Sequence, residues 1–456
     1  MASLGAAAEL GRFVARTRYE HLPIGVVAKA KRHILDTLGA ALAGATSEEA
    51  TRTHAALVAT EAPGPSPLWG TNLAFSPRNA ALANGVAAHA FELDDTGGCD
   101  HSGAVVLPAA LAALDVSNRP ISGRELLAAV VLGYDLGRRV LEGFGGYKPH
   151  NEAGWHSTGT CGTFGASAAA ASILGLGETE CASAIGLAGS FSSGLWAFIH
   201  DGAMAKRVHA GRASEGGLLA AILSAKGVTG PAQIFDEVWG GFLKTFAHEE
   251  ADSGALTRDL GTSWRISKAA IKPYASCRDT HAAVDAVGRV LDRHGLAPKD
   301  IGNIRVRANS FLAGMVGGRK IDTLAAAQMS LPYAVSARTV FGSAGLSSYS
   351  ADRRRHPAVL AMLEAVVVEI DETVQSSHTS SVTFTLRNGS RIEEPTAIPL
   401  GAPEHPISDS MLCTKFEELA GIVLNPPTVR QLADATLSLE KLPDVRTLLK
   451  LIRARR

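Results

Sequence analysis

The sequence has few cysteines and no excess of charge of either sign. Its five cysteines are scattered and never form a CxxC pair, which argues against both a disulfide framework and a zinc site. Lys and Arg together number 44, and Asp and Glu also number 44. The chain therefore has no overall field that would attract nucleic acid, an acidic partner or a membrane surface. Any anion-binding site must be local.

The sequence also lacks a long apolar run and a recognisable export signal. Its apolar stretches at 126–132 and 166–176 are too short to cross a bilayer. Residues 1–12 are alanine-rich and show neither a basic region nor a small-residue cleavage site after an apolar run. We therefore expect a cytoplasmic protein with reduced thiols and without a membrane or nucleic-acid partner.

What the chain does have is enough apolar sequence for a large core. Of its 456 residues, 46% are hydrophobic and 19% are charged, which predicts two folded domains. Apolar residues recur with helical spacing through the first half, and Gly, Pro and Asp occupy the connections. This pattern predicts an all-helical domain over residues 1–265. Its predicted helices lie at 26–42, 50–60, 77–93, 104–116, 123–142, 158–174, 178–188 and 206–224.

The pattern changes near residue 264. Short alternating segments predict strands there, and residues 387–389 read as a hairpin turn. Residues 266–398 are therefore predicted to form a smaller α+β domain, after which helices in residues 399–456 return to the first domain. The predicted fold class is mainly α, with a large all-helical domain and an inserted α+β domain. The predicted strands are 264–269, 301–308, 365–370, 380–386 and 391–394, and the further predicted helices are 280–293, 321–341, 408–424, 428–439 and 445–452.

The first polar cluster lies at residues 92–103, between two apolar helices. It contains four carboxylates (Glu92, Asp94, Asp95 and Asp100), His101 and three glycines, so this loop can direct several titratable groups to one place. Asp and Gly also make ordinary turns and caps, which is the alternative explanation. The spacing matches neither a calcium loop nor a zinc site. We therefore predict no metal here.

A second cluster surrounds His156, which precedes an almost wholly apolar helix. The first turn of that helix supplies the hydroxyls of Ser157 and Thr158 and free backbone N–H groups, which suit a carboxylate ligand. The simpler alternative is that one of the two hydroxyls caps the helix. Both interpretations are compatible, and we expect His156 to face the ligand.

A third cluster is basic and includes Lys206, Arg207 and His209, with Lys206 and His209 on one helical face. A solvated basic face is the usual explanation for such a run. Here the neighbouring small residues indicate burial, and buried basic groups need anions, either protein carboxylates or a substrate.

The fourth cluster lies at the entrance to a helix in the second predicted domain. Arg278 can make a two-pronged contact with a carboxylate, and His281 lies one helical turn further on. Cys277 and His281 could also be taken for a thiol nucleophile and its base. Nothing in the sequence orients a third group, so that interpretation is disfavoured.

Six segments, taken in order, resemble the signature segments of the MmgE/PrpD family, and the resemblance covers almost the whole chain. Six matches in the right order are far more specific than one. The segments are AHAFELDDT (88–96), HSGAVVLPAALA (101–112), GWHSTGTCGTFGA (154–166), KRVHAGRAS (206–214), KPYASCRDTHAA (272–283) and PEHPISDSMLCTKF (403–416).

The resemblance implies a cofactor-free homodimer whose subunits pair a helical domain with an α+β domain, with the active site between them. It also implies roles for particular residues. The catalytic candidates are Asp94, His101, His156, Lys206 and His281. The candidate substrate contacts are Glu92, Asp95, Thr96, Ser157, Thr158, Arg207, His209 and Arg278. We expect His156 and His281 to face one cavity.

The family includes 2-methylcitrate dehydratase, cis-aconitate decarboxylase and iminodisuccinate epimerase, so a small polycarboxylate is the expected substrate. All three reactions make or discharge a carbanion beside a carboxylate. We predict a hydro-lyase of the 2-methylcitrate dehydratase type. The alternatives are an epimerase, a cis-aconitate-type decarboxylase and a catalytically silent helical binding protein. The loop after Thr96 is shortened, and His101-Ser102-Gly103 replaces the common HPG or HPS. Glu92 stands where some relatives have Asp. These departures concern the substrate specificity more than the fold.

Overall fold

A computed structural model describes residues 5–247, 251–374 and 379–454. Helices dominate it, and among the described residues no helix is both long and apolar enough to cross a membrane. The helices of the first part are α1 (Ala6–Arg16), α2 (Ile24–Gly44), α3 (Glu48–Thr60), α4 (Pro77–His89), α5 (Ser102–Ala113), α6 (Gly123–Gly143), α7 (Tyr147–Glu152), α8 (Ser157–Thr160), α9 (Gly162–Leu174), α10 (Glu178–Phe191), α11 (Ala205–Ser224) and α12 (Phe242–Phe246). The later helices are α13 (His281–His294), α14 (Ser310–Val316), α15 (Leu324–Gln328), α16 (Leu331–Phe341), α17 (Ala351–Arg354), α18 (Pro357–Ala365), α19 (Asp409–Ala420), α20 (Pro426–Leu437) and α21 (Arg446–Leu451).

Small residues let the helices of the first part approach closely. Helices α4 and α11 meet at Gly85 and Gly211, where a Cβ atom on Gly85 would lie 2.8 Å from the Cα atom of Gly211. Only glycine permits this contact. The crossing brings the end of α4 beside the start of α11, so the loop that contains Glu92 lies next to Lys206.

Buried apolar residues form two main groups. The first draws on residues 7–271 and again on residues 407–452, so the C-terminal helices pack on the helical part. The second draws on residues 277–384. This arrangement agrees with the predicted mainly α fold that carries a smaller α+β part. The exact boundaries at 265 and 398 stay predictions.

The α+β part contains a four-stranded sheet in the order β4-β3-β5-β6. Strand β3 pairs in parallel with β4, with Val306 opposite Val368, and antiparallel with β5, with Val306 opposite Val382. The predicted turn at 387–389 is confirmed, since β5 and β6 form an antiparallel hairpin across it. The strands are β3 (Ile301–Ala308), β4 (Val366–Ile370), β5 (Ser381–Leu386) and β6 (Arg391–Pro395), and a separate pair joins β1 (Ser66–Pro67) to β2 (Ala74–Phe75).

Several predicted elements differ from the structure. The predicted strand at 264–269 is wrong, because Arg265–Lys268 is a short 3-10 helix. There the Arg265 side chain pairs with Glu142 instead of alternating across a sheet. The predicted helix at 321–341 is split, since Ser330 caps a new helix, α16. The predicted helix at 158–174 is divided at Cys161. The helices that were not predicted are α1, α7, α12, α14, α17 and α18.

Candidate active site

A cavity of about 550 Å³ lies beside the loop that follows α4 and the start of α11, with segments 267–279 and 398–404 on its other sides. Its wall brings together five of the predicted site residues, which are Glu92, Thr96, His101, Lys206 and Arg278. Its other charged residues are Asp100, Arg138, Lys268, Lys272, Asp279 and Glu404.

Glu92 is the centre of a buried ion cluster. Its backbone has a φ of 53°, an unusual value for a residue with a side chain. One carboxylate oxygen accepts hydrogen bonds from Lys206 and Arg207, and the other lies 2.9 Å from the Lys272 ammonium. Burial alone would raise the pKa of Glu92, but the charges of Lys206, Lys272 and Arg207 hold it well below its usual range. Three cations around one carboxylate leave two positive charges.

The predicted roles of this cluster change accordingly. Glu92 was expected to contact the substrate, but in the structure it is the internal counterion of Lys206 and Arg207. The excess of positive charge remains available to a substrate anion, because Lys206 and Lys272 both line the cavity. Arg207 points instead to the amide of Gln328, with Nη2 3.1 Å from Oε1.

His101 is held between carboxylates. Its Nδ1 atom lies 2.8 Å from the carbonyl oxygen of Asp95 and 3.1 Å from Oδ2 of Asp94. Its Nε2 atom lies 3.5 Å from Oδ2 of Asp100, which also lines the cavity. Burial lowers the pKa of His101, but Asp100 and Asp94 outweigh it, so the net shift is upward. The carboxylates therefore favour the protonated form of His101, which can donate a proton.

Asp94 faces two imidazoles and does not line the cavity. His89 Nδ1 lies 3.0 Å from Asp94 Oδ2, the same oxygen that His101 contacts, and the centres of the two rings lie 4.2 Å apart. Burial would raise the pKa of Asp94, but His89 and His101 hold it well below its usual range. Burial lowers the pKa of His89 to about 3. Asp94 therefore orients His101 and favours its protonated form. Its position does not support a direct contact with the substrate.

Asp95 points into the helical core. Its carboxylate accepts hydrogen bonds from the backbone N–H of Gly103 at 2.8 Å and from the hydroxyl of Tyr134, and it lies 3.0 Å from Nδ1 of His33. These contacts fix the position of Asp95, whose backbone carbonyl group contacts His101. Asp95 was expected to contact substrate, but the structure gives its side chain these internal partners.

His156 lies one layer behind the cavity wall. Its Nδ1 atom lies 3.1 Å from Nδ1 of His209, and its ring centre lies 6.5 Å from that of His101. Burial and the charge of Lys206 lower the pKa of His156 well below its usual range. Ser157 contacts Asn151, and Thr158 is fully buried. The structure places these four predicted residues together, but away from the cavity wall.

Arg278 and His281 have backbone partners. The Arg278 guanidinium donates to the carbonyl oxygens of Leu400 at 2.7 Å and Pro399 at 3.0 Å. Nε2 of His281 lies 3.2 Å from the carbonyl oxygen of Ser276, and its ring packs on Tyr274. Arg278 lines the cavity, whereas His281 does not. The expectation that His156 and His281 both face one cavity therefore disagrees with this arrangement, while their catalytic roles stay predictions.

The carboxyl group of Asp279 and the thiol of Cys277 both line the cavity. Burial and the charge of Asp100 raise the pKa of Asp279 to about 7. Burial also raises the pKa of the Cys277 thiol to about 12. Cys277 is therefore a neutral thiol at neutral pH, which gives no support to the thiol nucleophile.

The sequence interpretation missed His89, His33, Tyr134, Lys272 and Asp279. His89 and Lys272 stand inside two of the family-like segments, so the segments contained the signal although neither residue was singled out. Asp279 also stands inside one of these segments and was not singled out. His33 and Tyr134 are distant in sequence from Asp95, which they contact, and their spacing gives no signal.

Comparison with known families matches two domain models to the chain. The MmgE/PrpD N-terminal domain matches residues 8–253, and the MmgE/PrpD C-terminal domain matches residues 274–441. The chain belongs to the MmgE/PrpD family. The resemblance seen in the six segments is confirmed.

Individual MmgE/PrpD relatives are similar along nearly their full length. The cis-aconitate decarboxylase-like protein oryM of Aspergillus oryzae is 28% identical over 98% of this chain and 96% of its own. A cis-aconitate decarboxylase of Aspergillus terreus is 29% identical over 99% of this chain and 96% of its own. The cis-aconitate decarboxylase of Homo sapiens is 28% identical over 95% of this chain and 91% of its own.

One group in this MmgE/PrpD chain has the composition of a metal site. His89, Asp94 and His101 each offer one ligand atom, and these atoms lie within 4.8 Å of one another. Both imidazoles already contact one carboxylate oxygen of Asp94 at hydrogen-bond distances. An ion would have to displace both contacts, and it would remove the proton from His101. The geometry fits proton handling better than metal binding.

We therefore expect exhaustive chelation to leave the activity of this MmgE/PrpD protein unchanged. The reason is that a metal ion on His101 would occupy a nitrogen that proton transfer requires. Dialysis against EDTA and 1,10-phenanthroline, followed by rate measurement and elemental analysis, tests this. Loss of activity that one cation restores would show that Asp94 and its two histidines bind metal.

Proposed function

We propose that this protein is a lyase that removes carbon dioxide from a small tricarboxylate of the cis-aconitate type. One observation carries the proposal: His101, whose carboxylate neighbours favour its protonated form, shares one cavity with the ammonium groups of Lys206 and Lys272. The similarity to cis-aconitate decarboxylases along the whole chain supports this reaction over the dehydration predicted from the sequence.

Binding of the substrate rests on the ion cluster. A tricarboxylate carries up to three negative charges, and removing them from water requires cationic donors that are already in place. Lys206 and Lys272 come from different chain segments and are held by one carboxylate, Glu92. Because they are fixed before the substrate arrives, little reorganisation is needed as charge develops.

The chemical step then needs one proton. Loss of carbon dioxide from the CH₂-carboxylate arm of cis-aconitate breaks a C–C bond, whose electron pair forms a new double bond. The original double-bond pair moves to the carbon beside a remaining carboxylate, and that carbon takes a proton from Nε2 of His101. The resulting neutral imidazole keeps its Nδ1 contacts with Asp94 and Asp95. Solvent returns the proton after the product leaves.

An epimerase receives less support. Epimerisation needs a proton acceptor on one face of the carbon and a donor on the other. His156 and His281, the other predicted catalytic histidines, are buried away from the cavity wall. A hydro-lyase shares the need for one acid, so only the product distinguishes it from a decarboxylase.

Incubation with cis-aconitate in deuterated water tests the proposal. We expect release of one carbon dioxide for each substrate consumed, and a product with one carbon-bound deuterium, because the exchangeable proton of His101 ends on carbon. Headspace mass spectrometry and proton NMR measure both. Addition or loss of water without carbon dioxide would identify a hydro-lyase, and deuterium exchange without either would identify an epimerase.

A further inference from the structure

Lys415 lies on α19, within the last of the six family-like segments. Its side chain contacts the backbone of the segments that carry Glu92 and Lys272 but does not line the cavity. Its ammonium donates to three oxygens. These are Oδ1 of Asp36 at 2.6 Å, the carbonyl oxygen of Leu93 at 2.6 Å and the carbonyl oxygen of Lys272 at 2.8 Å. An ammonium group has three N–H donors, so this one is fully used.

The three acceptors come from separate parts of the chain. Asp36 belongs to α2, Leu93 lies between Glu92 and Asp94, and Lys272 supplies the third acceptor through its own backbone. The ammonium therefore joins the backbone of the loop after α4 to the backbone of the segment that carries Lys272. Asp36 supplies the negative charge that lets the ammonium be buried.

The same two segments are joined at a second point. Thr96 and Ala270 exchange two backbone hydrogen bonds, of 3.0 and 2.7 Å. The contact of 2.9 Å between Glu92 and the Lys272 ammonium joins the same two segments through their side chains. With Lys415 in place, the two backbones are held together at two points, which restricts rotation about the bridge. Without Lys415, the bridge and this side-chain contact remain, and the backbones near Leu93 and Lys272 are free to shift apart.

We propose that Lys415 is a positioning residue that sets the distance between the Glu92 loop and Lys272, and so aligns the cationic face of the cavity. The proposal rests on the proposed function for its catalytic consequence. Lys415 does not line the cavity, so it acts only through the segments that it joins. Displacement of a binding group by about 1 Å costs on the order of 100-fold in rate.

Lys31 provides a matched control. Its ammonium lies 3.1 Å from Glu440, so it also joins α2 to the C-terminal region through an ion pair. That pair is partly exposed and touches neither active-site segment. Replacement of Lys31 by methionine removes a similar charge and a similar link without loosening the cavity wall.

The test compares Lys415→Met with Lys31→Met. We expect Lys415→Met to lower kcat/KM by about 100-fold, while Lys31→Met stays near the wild-type value. Because Lys415→Met leaves the buried Asp36 without its partner, its melting temperature should fall, and the rates are compared at a temperature at which both variants are folded. Hydrogen exchange measured by mass spectrometry should be faster in peptides covering 91–96 and 270–275 only in Lys415→Met. If that variant does not fold, Lys415→Gln, which is neutral but retains N–H donors, takes its place.

Chemical rescue separates a local effect from general damage. Lys415 and Leu93 also line a second cavity of about 710 Å³, which gives a small amine a route to this position. We expect propylammonium to restore part of the lost kcat/KM in Lys415→Ala and to leave the wild type and Lys31→Met unchanged.

Two results would overturn the positioning role: unchanged hydrogen exchange in both segments, or kcat/KM within about threefold of wild type. Absence of rescue would exclude a role for the ammonium itself. If the wild-type protein releases no carbon dioxide from cis-aconitate, the proposed function fails, but the exchange comparison still tests whether Lys415 holds the two segments.

Discussion

Replacement of His101 by glutamine is expected to lower kcat by about 100- to 10,000-fold, the usual effect of losing a general acid. Glutamine can still donate a hydrogen bond to the Asp95 carbonyl, but it has no proton to give to carbon. The loop remains held by Asp95, but the melting temperature should fall because Asp94 and Asp100 lose a partner, so rates are measured at a temperature at which the variant is folded. Carbon dioxide release under saturating substrate measures the effect. The matched control is the exposed His294, whose replacement by glutamine should leave kcat unchanged.

The pH dependence of the wild type provides a second measurement on the same residue. Asp100 and Asp94 raise the pKa of His101 above the ordinary value of 6.5. Since the protonated form is the donor, kcat should be at its plateau below the raised pKa and should fall as the pH rises through it. The fall should be absent in His101→Gln and present in His294→Gln. A wild-type rate that rises with pH in this range would make neutral His101 a base instead of an acid.

The helical architecture was predictable because each long helix has a sequence pattern of its own. Helix α6 begins at a capping box formed by Ser122 and Glu125 and continues with apolar residues at helical spacing. Where a local pattern was ambiguous, the prediction was wrong. Apolar and polar residues partly alternate over 264–269, as in a strand. In the structure Arg265 and Lys268 both form ion pairs with Glu142, and the segment is a short 3-10 helix.

The candidate site was predictable as a set of polar segments but not as a set of contacts. Glu92 and Lys272 are separated by 180 positions, and no spacing rule links them. From the sequence, Lys206 and Arg207 were predicted to bind a substrate anion, and Glu92 was predicted to be another substrate contact. Only the fold shows that the carboxylate neutralises part of that charge. The same limit applies to His89, whose contacts with Asp94 and with the ring of His101 no spacing rule predicts.

The histidines illustrate a further limit. His156 and His281 follow family-like patterns as closely as His101 does, yet only His101 lies on the cavity wall. Burial lowers the pKa of His156 and His281, whereas carboxylates on both sides raise that of His101. Contacts with a carboxylate at each of its two ring nitrogens distinguish His101 from His156 and His281, and the sequence motifs do not show this difference.

Replacement of Glu92 by glutamine is expected to lower the free energy of unfolding by about 3–5 kcal/mol, because removing one member of a buried ion cluster leaves unpaired charge behind. Lys206, Arg207 and Lys272 would then repel one another with no carboxylate between them. Urea unfolding followed by circular dichroism measures the loss. Glu440→Gln removes the partner of the half-exposed Lys31 and should cost no more than about 1 kcal/mol.

We attribute the expected loss of stability to unbalanced charge and not to lost packing. A double variant distinguishes these two causes. Lys272→Met alone leaves Glu92 with two cationic partners, so its effect on stability should be smaller than that of Glu92→Gln. In Glu92→Gln combined with Lys272→Met, one of the repelling charges is gone, so the double variant should be more stable than Glu92→Gln alone. Additive losses in this double-mutant cycle would mean that the two residues do not interact. Coupled losses, together with weak substrate binding in both Lys272 variants, would show that the carboxylate holds in place the same cations that bind the substrate.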